Sequence, residues 1–505
     1  MRERIGASAR YFPPSGYTEL ATGYMSTFWS HAAPSGNTQG DDASSGVLLL
    51  RTGLDAFAAR LVMARAAQRT LDVQYYIWHD DLSGLLMLAE LKAAADRGVS
   101  IRLLLDDLGV PRMDARIAYL NQHPNIEVRL YNPFRIRRFR TLNWLFDARR
   151  LNHRMHAKSL TVDGTATIVG GRNIGDEYFG AREDALFADL DAIAVGPVVD
   201  DVREAFDRTW HHPLARLAHD VIHGAGVTGN HELELLRVSR SGKAREYLDA
   251  VKARPLFDEL SRGEFDATWA PVRLVQTLPD PQAEPKPEVG LASLLPPTLA
   301  TPSRELNVVS GYFVPTSRGI DDLVALARSG VSIRVLTNCY AATDVGIVHA
   351  GYAPTRRRLL EGGVELFEMP APDDKPKTFR KFVRPGSAFA RSAREPGGTL
   401  HAKAISVDGT EFYVGSSNFD PRSACINTEL GILVEDGGLA TGLSELFTEE
   451  IAQSTYRLTL GERGEVVWID ERDDVPEASQ VEPGTNVLSR SLVRALSLLP
   501  IERLL

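Results

Sequence analysis

Neither of the chain's two cysteines, Cys339 and Cys425, has a second cysteine or a histidine at metal-ligand spacing. That excludes the common zinc sites, and both read as small buried side chains in a reducing compartment. Long apolar runs are also missing. No segment approaches the roughly 18 residues that a membrane-spanning helix needs. The opening stretch from Met1 to Arg10 carries charge with no apolar segment behind it, so no secretory leader is expected. Positive charge is in deficit as well. A formal net charge of −9 excludes the broad basic surface that coats nucleic acid non-specifically, but leaves room for a local basic site. What remains, 44% apolar and 24% charged residues over 505 positions, is a soluble globular composition with material for two or three domains.

The pattern along the chain is one of alternation. Val47 to Leu50 reads as a buried strand, and Leu54, Phe57, Ala58, Leu61 and Ala64 repeat at helical spacing. Leu71 to Trp78 is strand-like, and a helix from Leu85 to Asp96 stops at Gly98 before the next strand, Val99 to Leu105. Strand and helix in turn predict an α/β fold with a mainly parallel sheet covered by helices. The same order returns: Arg97 to Arg102 and Ser329 to Arg334 share Gly-Val-Ser-Ile-Arg, each flanked by matching elements. Duplication of a whole domain follows. Residues 1–45 read as an extension, 46–262 and 263–480 as two domains, and 481–505 as an amphipathic tail. The stretch from Pro271 to Pro302 holds eight prolines and reads as poor helix or strand material containing a loop or linker.

Chemistry concentrates in a repeated signature. His156, Lys158 and Asp163 stand in the pattern His-x-Lys-x4-Asp, and His401, Lys403 and Asp408 repeat it; six residues later come Gly170 and Asn173, then Gly415 and Asn418. With each position matching by chance about one time in twenty, such a recurrence is not accidental. On an extended strand, His and Lys two residues apart face the same side. Two such half-sites facing one pocket would suit a phosphodiester. Lys158, Lys403, Asn173 and Asn418 would hold the non-bridging oxygens, one neutral histidine would attack phosphorus, and one protonated histidine would release the leaving oxygen. No metal or cofactor is required. Asp163 and Asp408 are grouped with the catalytic residues, with capping of the turns at Gly164 and Gly409 as the alternative. Glu429 and Asp189 are the candidates for orienting the histidines.

Basic-aromatic segments precede both signatures. Arg135, Arg137, Arg138, Arg140, Arg149, Arg150 and Arg154 alternate with Phe134, Phe139, Trp144 and Phe146; Lys375, Lys377, Arg380, Lys381, Arg384, Arg391 and Arg394 alternate with Phe379, Phe382 and Phe389. Their shared placement suggests a positive rim suited to a lipid interface, with a solvated charged face as the plain alternative. Single-stranded nucleic acid could use the same mixture, although the net charge makes it the less favoured partner. The tail from Val487 to Leu505 suits a short interfacial helix interrupted at Pro500, or one docked on the protein.

These signatures resemble the phospholipase D superfamily. Leu71 to Trp78, Gly170 to Phe179, Asn418 to Ser423 and Leu498 to Ile501 are more closely similar to bacterial cardiolipin synthases of the C type. The resemblance covers about residues 46 to 505. It implies two α-β-α sandwich domains with pseudo-twofold symmetry and one active site at their interface. It also implies a phosphohistidine intermediate on His156, with His401 as general acid and then base. The implied reaction is phosphatidyl transfer that makes cardiolipin, drawing on phosphatidylglycerol and possibly phosphatidylethanolamine at the surface of the bacterial inner membrane, from the cytoplasmic side. Hydrolysis of phospholipid or nucleic acid by the same site, and a non-catalytic lipid-binding module, are the competing expectations.

Overall fold

The computed structural model describes residues 44–182, 186–223, 231–279, 289–297, 299–343, 345–370, 398–472 and 475–497. The first half contributes strands β1 (Ser44–Leu50), β2 (Thr70–Ile77), β3 (Ser100–Gly109), β4 (Ile126–Tyr131), β5 (Ser159–Val162), β6 (Ala166–Gly170), β7 (Leu186–Ala188), β8 (Asp191–Val195) and β9 (Ala215–Leu217). The second contributes β10 (Thr268–Thr277), β11 (Glu305–Ser310), β12 (Ser332–Asn338), β13 (Glu365–Met369), β14 (Gly398–Leu400), β15 (Lys403–Val407), β16 (Glu411–Gly415), β17 (Glu429–Val434), β18 (Tyr456–Leu460), β19 (Val466–Asp470) and β20 (Glu477–Ser479).

Pairing reads outward from a centre. One arm runs β1-β8-β6-β5-β2-β3-β4-β9; the other runs β10-β17-β16-β15-β11-β12-β13-β18, followed by β19 and β20. Strand by strand these orders correspond, including parallel β2-β3-β4 and β11-β12-β13 beside antiparallel hairpins. The two arms meet where β1 pairs antiparallel with β10. The α/β architecture expected from the alternation is present, with an internal pseudo-twofold relation.

Local chemistry explains the matching elements. Helices Leu82–Asp96 and Ser317–Arg328 start on Asp81 and Thr316, whose side chains accept the N–H groups of Gly84 and Gly319. Both lead into a left-handed glycine, Gly98 at φ 101° and Gly330 at φ 102°, a conformation that a Cβ penalises. The repeated Gly-Val-Ser-Ile-Arg is thus a helix stop followed by the next parallel strand.

One expectation needs correction. Pro271 lies inside β10, not in a linker. It is tolerated because β10 changes partners there: pairing with β1 ends at Pro271 and pairing with β17 begins at Val272. The prolines at 281, 285 and 287 lie outside the described residues. An apolar cluster runs from Val169, Ala192 and Phe206 of the first half into Val414, Ile432 and Leu433 of the second, so the halves share a core. Among the described residues no helix is long and apolar enough to cross a membrane. Helix Val487–Ser497 docks through Val493 and Leu496 onto Val314, Val348 and Ala350. Leu498 to Leu505, including Pro500, lies outside the described residues.

Candidate active site

Each signature begins just before the first strand of an antiparallel hairpin, β5-β6 or β15-β16, and each histidine is stitched to the opposite half. The His156 N–H donates to Thr428 O at 2.9 Å, while the Thr428 N–H donates to Arg154 O at 2.9 Å. In the other half β14 pairs parallel with β7, and the N–H groups of His401 and Ala402 donate to Ala188 O at 2.8 and 3.0 Å. These crossings deliver a carboxylate to each imidazole. His156 Nδ1 lies 2.8 Å from Glu429 Oε2, and His401 Nδ1 lies 2.6 Å from Asp189 Oδ2. With Nδ1 engaged, Nε2 is the nitrogen left to react at each ring. Both candidate orienting residues lie at hydrogen-bond distance from a signature histidine, each from that of the other half.

The surroundings of the two pairs differ. Glu429 also accepts from Ser416 Oγ at 2.5 Å and from Asn427 Nδ2 at 3.2 Å. Burial pushes its carboxyl up to about 7, against the pull of Lys158. Asp189 is buried too, but His401 and Lys403 outweigh that burial and hold it well below the usual carboxylate range. Burial, reinforced by Lys158 and Lys403, drives His156 well below the ordinary histidine value. Burial and Lys403 also lower His401, with Asp189 opposing them. Both histidines are thereby biased towards the neutral form, His156 the further, and His401 faces the carboxylate held ionised.

Both lysines are buried beside their histidines. Lys158 Nζ donates to the His156 carbonyl, and Lys403 Nζ to the His401 carbonyl while lying 3.0 Å from His401 Nδ1. Burial pushes the Lys158 ammonium down to about 7, with Glu429 opposing it. A phosphate between these lysines would replace lost hydration with counter-charge.

The two asparagines diverge. Asn173 accepts the Ile77 N–H at 3.1 Å and donates to Tyr178 Oη at 2.9 Å, leaving one amide hydrogen for a ligand. Asn418 Oδ1 is buried without a partner among the described residues. Asn418 lines a cavity of about 510 Å³ together with Arg149, Asn152, His153, Ser423 and Ile426.

Asp163 and Asp408 do not join the site, which corrects their grouping with the catalytic residues. Both adopt left-handed backbone, φ 51° and 54°, in the turns after β5 and β15. Asp163 accepts the N–H groups of Gln68, Arg69 and Thr70 at 2.7–2.9 Å. Asp408 accepts those of Ser303, Arg304 and Glu305 at 2.7–3.1 Å. Five steps of extended chain, about 16 Å, separate each aspartate from its lysine. They tie the hairpin to the entry of β2 or β11.

Other neighbours carried no recognisable signal in sequence. Tyr76 packs edge-on to His156 at 5.1 Å, with Lys158 Nζ 5.5 Å from its ring centroid. Tyr178, Phe187 and Tyr312 surround His401. Gly171 admits Asp189: a Cβ there would meet Asp189 Oδ1 at 2.1 Å. Ser416, at the matching position, instead donates to Glu429.

The first basic segment is only partly a rim. Arg137 and Arg140 clamp Asp107 and Asp114, Arg150 holds the Asn132–Pro133 turn, and Arg154 is buried on Asp106 at 3.0 Å. The second, Lys375 to Arg394, lies outside the described residues. Among those described, His79, Asp81 and Glu177 form a cluster that could hold a metal ion; none of the three approaches either signature histidine within hydrogen-bond distance.

Crossed histidine–carboxylate pairs on duplicated α/β halves define a phospholipase D-type enzyme. The chain belongs to that superfamily, through the family described as "Cardiolipin synthase, PLD-like domain", matched over residues 61–210 and 297–451. Cardiolipin synthase C of Escherichia coli is 42% identical over 469 residues, 91% of this chain and 96% of that one. Cardiolipin synthase A of Pseudomonas entomophila is 24% identical over 413 residues, 82% of this chain and 70% of that one. The crystal structure of phosphatidylserine synthase from Haemophilus influenzae shares the fold, with a TM-score of 0.56, 13% identity, and coverage of 91% of this chain and 94% of that one.

Proposed function

We propose that this enzyme makes cardiolipin by transferring a phosphatidyl group between phospholipids through a phosphohistidine. The observation carrying the proposal is the crossed pairing: His156 on Glu429 and His401 on Asp189, each with Nε2 free. His156 Nε2 attacks the donor phosphorus and the bond to the headgroup oxygen breaks. His401 Nε2–H supplies the proton, so glycerol leaves phosphatidylglycerol, or ethanolamine leaves phosphatidylethanolamine. A hydroxyl of an acceptor phosphatidylglycerol then gives its proton to His401 and attacks phosphorus. The P–N bond breaks, leaving cardiolipin and free His156. Lys158 and Lys403 neutralise the phosphoryl oxygens, and the amide N–H groups of Asn173 and Asn418 position them. The enzyme would act while bound peripherally to the bacterial inner membrane.

Incubating the full chain with phosphatidylglycerol, with and without phosphatidylethanolamine, and identifying products by mass spectrometry tests this reading. Cardiolipin plus the freed headgroup is the expected result. Phosphatidic acid alone would mean that water, not a lipid hydroxyl, reaches the intermediate. Cleavage of single-stranded DNA without lipid turnover would make the enzyme a nuclease.

A further inference from the structure

Among the described residues twelve large apolar side chains are exposed, and six of them fall between 136 and 146: Ile136, Phe139, Leu142, Trp144, Leu145 and Phe146. Leu145 and Phe146 are 74% and 83% exposed. Such a concentration is unusual on a surface that meets only water. It is also tied to the protein by hydrogen bonds. Asn143, 3% exposed, closes the segment by accepting the Ile136 N–H at 2.9 Å and donating to Ile136 O at 2.9 Å. Arg137 and Arg140 fasten it to Asp107 and Asp114. Asn143, Arg137 and Arg140 of this segment therefore point into the protein while its apolar side chains point out. Arg138, stacked on Phe139 at 5.7 Å, adds positive charge at the same surface, and so does Arg135, its side chain 74% exposed although it also pairs with Asp147 at 3.4 Å.

The segment is continuous in the chain with one wall of the cavity at Asn418. Helix Arg140–Leu151 bends at Asp147, and beyond the bend Arg149, Asn152 and His153 line the cavity that reaches Asn418. A second apolar stripe lies on the C-terminal helix. Helix Val487–Ser497 exposes Val487, Leu488 and Leu492 while packing on the Val314, Val348 and Ala350 cluster that Tyr312 also touches; the Tyr312 ring lies 6.5 Å from His401.

Resting on the phospholipid reading of the site, we propose that the segment from Arg135 to Phe146 docks the enzyme on an anionic glycerophospholipid bilayer. Its aromatic and leucine side chains enter the interface, and lipid headgroups reach the cavity below. Charge complementarity selects this occupant. A chain of net charge −9 is repelled by an anionic surface unless a local cationic-aromatic patch turns towards it.

The test uses the full chain with vesicles of phosphatidylcholine alone or mixed with phosphatidylglycerol, read by flotation. Turnover is measured on those vesicles and on short-chain phosphatidylglycerol held as monomers. The double variant Leu145→Glu, Phe146→Glu should bind the mixed vesicles about tenfold or more weakly and lose vesicle turnover in proportion. Its rate on monomeric lipid should stay at the wild-type level. Should that variant melt early, Leu145→Ala, Phe146→Ala offers a gentler cut with the same expected direction. Unchanged vesicle binding overturns the proposal. So does a change in sedimentation mass, which would make the face a contact between copies of the chain. If the wild type fails to process monomeric lipid yet still loses vesicle binding on substitution, the docking surface stands and the substrate reading falls.

Discussion

Each active-site imidazole carries its Nδ1 to a carboxylate in an unlike setting, and that difference supports the roles proposed for them. His156 is held well below the usual histidine range and faces Glu429, itself raised to about 7, so a neutral nucleophile fits there. His156→Ala should abolish labelling of the enzyme by radioactive donor lipid, whereas His401→Asn should leave a trappable intermediate that turns over slowly. Labelling that persists in His156→Ala would reverse the assignment. His401 must be protonated to expel the first headgroup, and its lowered pKa means that form is lost as pH rises through it. The value of kcat/KM should therefore fall on the alkaline side. Asp189 opposes the lowering, so Asp189→Asn should shift the falling limb to lower pH and reduce kcat by about 10²–10⁴-fold. A pH–rate profile with the limb unmoved contradicts the pairing. Asp163, by contrast, acts through backbone. Asp163→Ala returns three exposed N–H groups to water and should cost about 0.5–1.5 kcal/mol of stability, read by urea unfolding, with kcat per folded molecule preserved.

Short elements carry the fit between the halves. The chain after β6 bends tightly past Asp189, and only a residue without Cβ clears its oxygen. Gly171→Ala should displace the carboxylate from His401 and lower kcat about as much as Asp189→Asn, while Ser416→Gly at the matching position merely removes one donor from Glu429. Comparable kcat values for Gly171→Ala and the wild type would show that the loop gives way. The repeated helix stops at Gly98 and Gly330 were legible because glycine advertises a left-handed turn. The basic run was legible as charge but not as structure: Asp107 and Asp114, which absorb Arg137 and Arg140, lie over 20 residues earlier, and nothing in local spacing pairs them. Arg154→Ala would strand Asp106 in the core, at about 3–5 kcal/mol.

At the scale of the molecule, both halves are needed for either histidine to have its carboxylate, and one chain supplies all four groups. Mixing purified His156→Ala with His401→Ala should therefore restore no cardiolipin formation. Recovered activity would mean that sites assemble between chains. The continuous pairing from β9 through β1 and β10 to β20, and the apolar cluster shared across the halves, hold the two signatures at fixed distance.

The sequence by itself determined the reaction centre's parts: two His-x-Lys pairs, their duplication, and the α/β grammar that seats them on strands. Those follow from spacing and periodicity, which act over a few residues. Only the tertiary structure decided which carboxylate serves which histidine, that the signature aspartates cap turns instead of meeting substrate, and that Asn173 and Asn418 differ. Each depends on contacts between residues tens to hundreds of positions apart. A one-dimensional pattern carries no information about such contacts until the strands that hold them have paired.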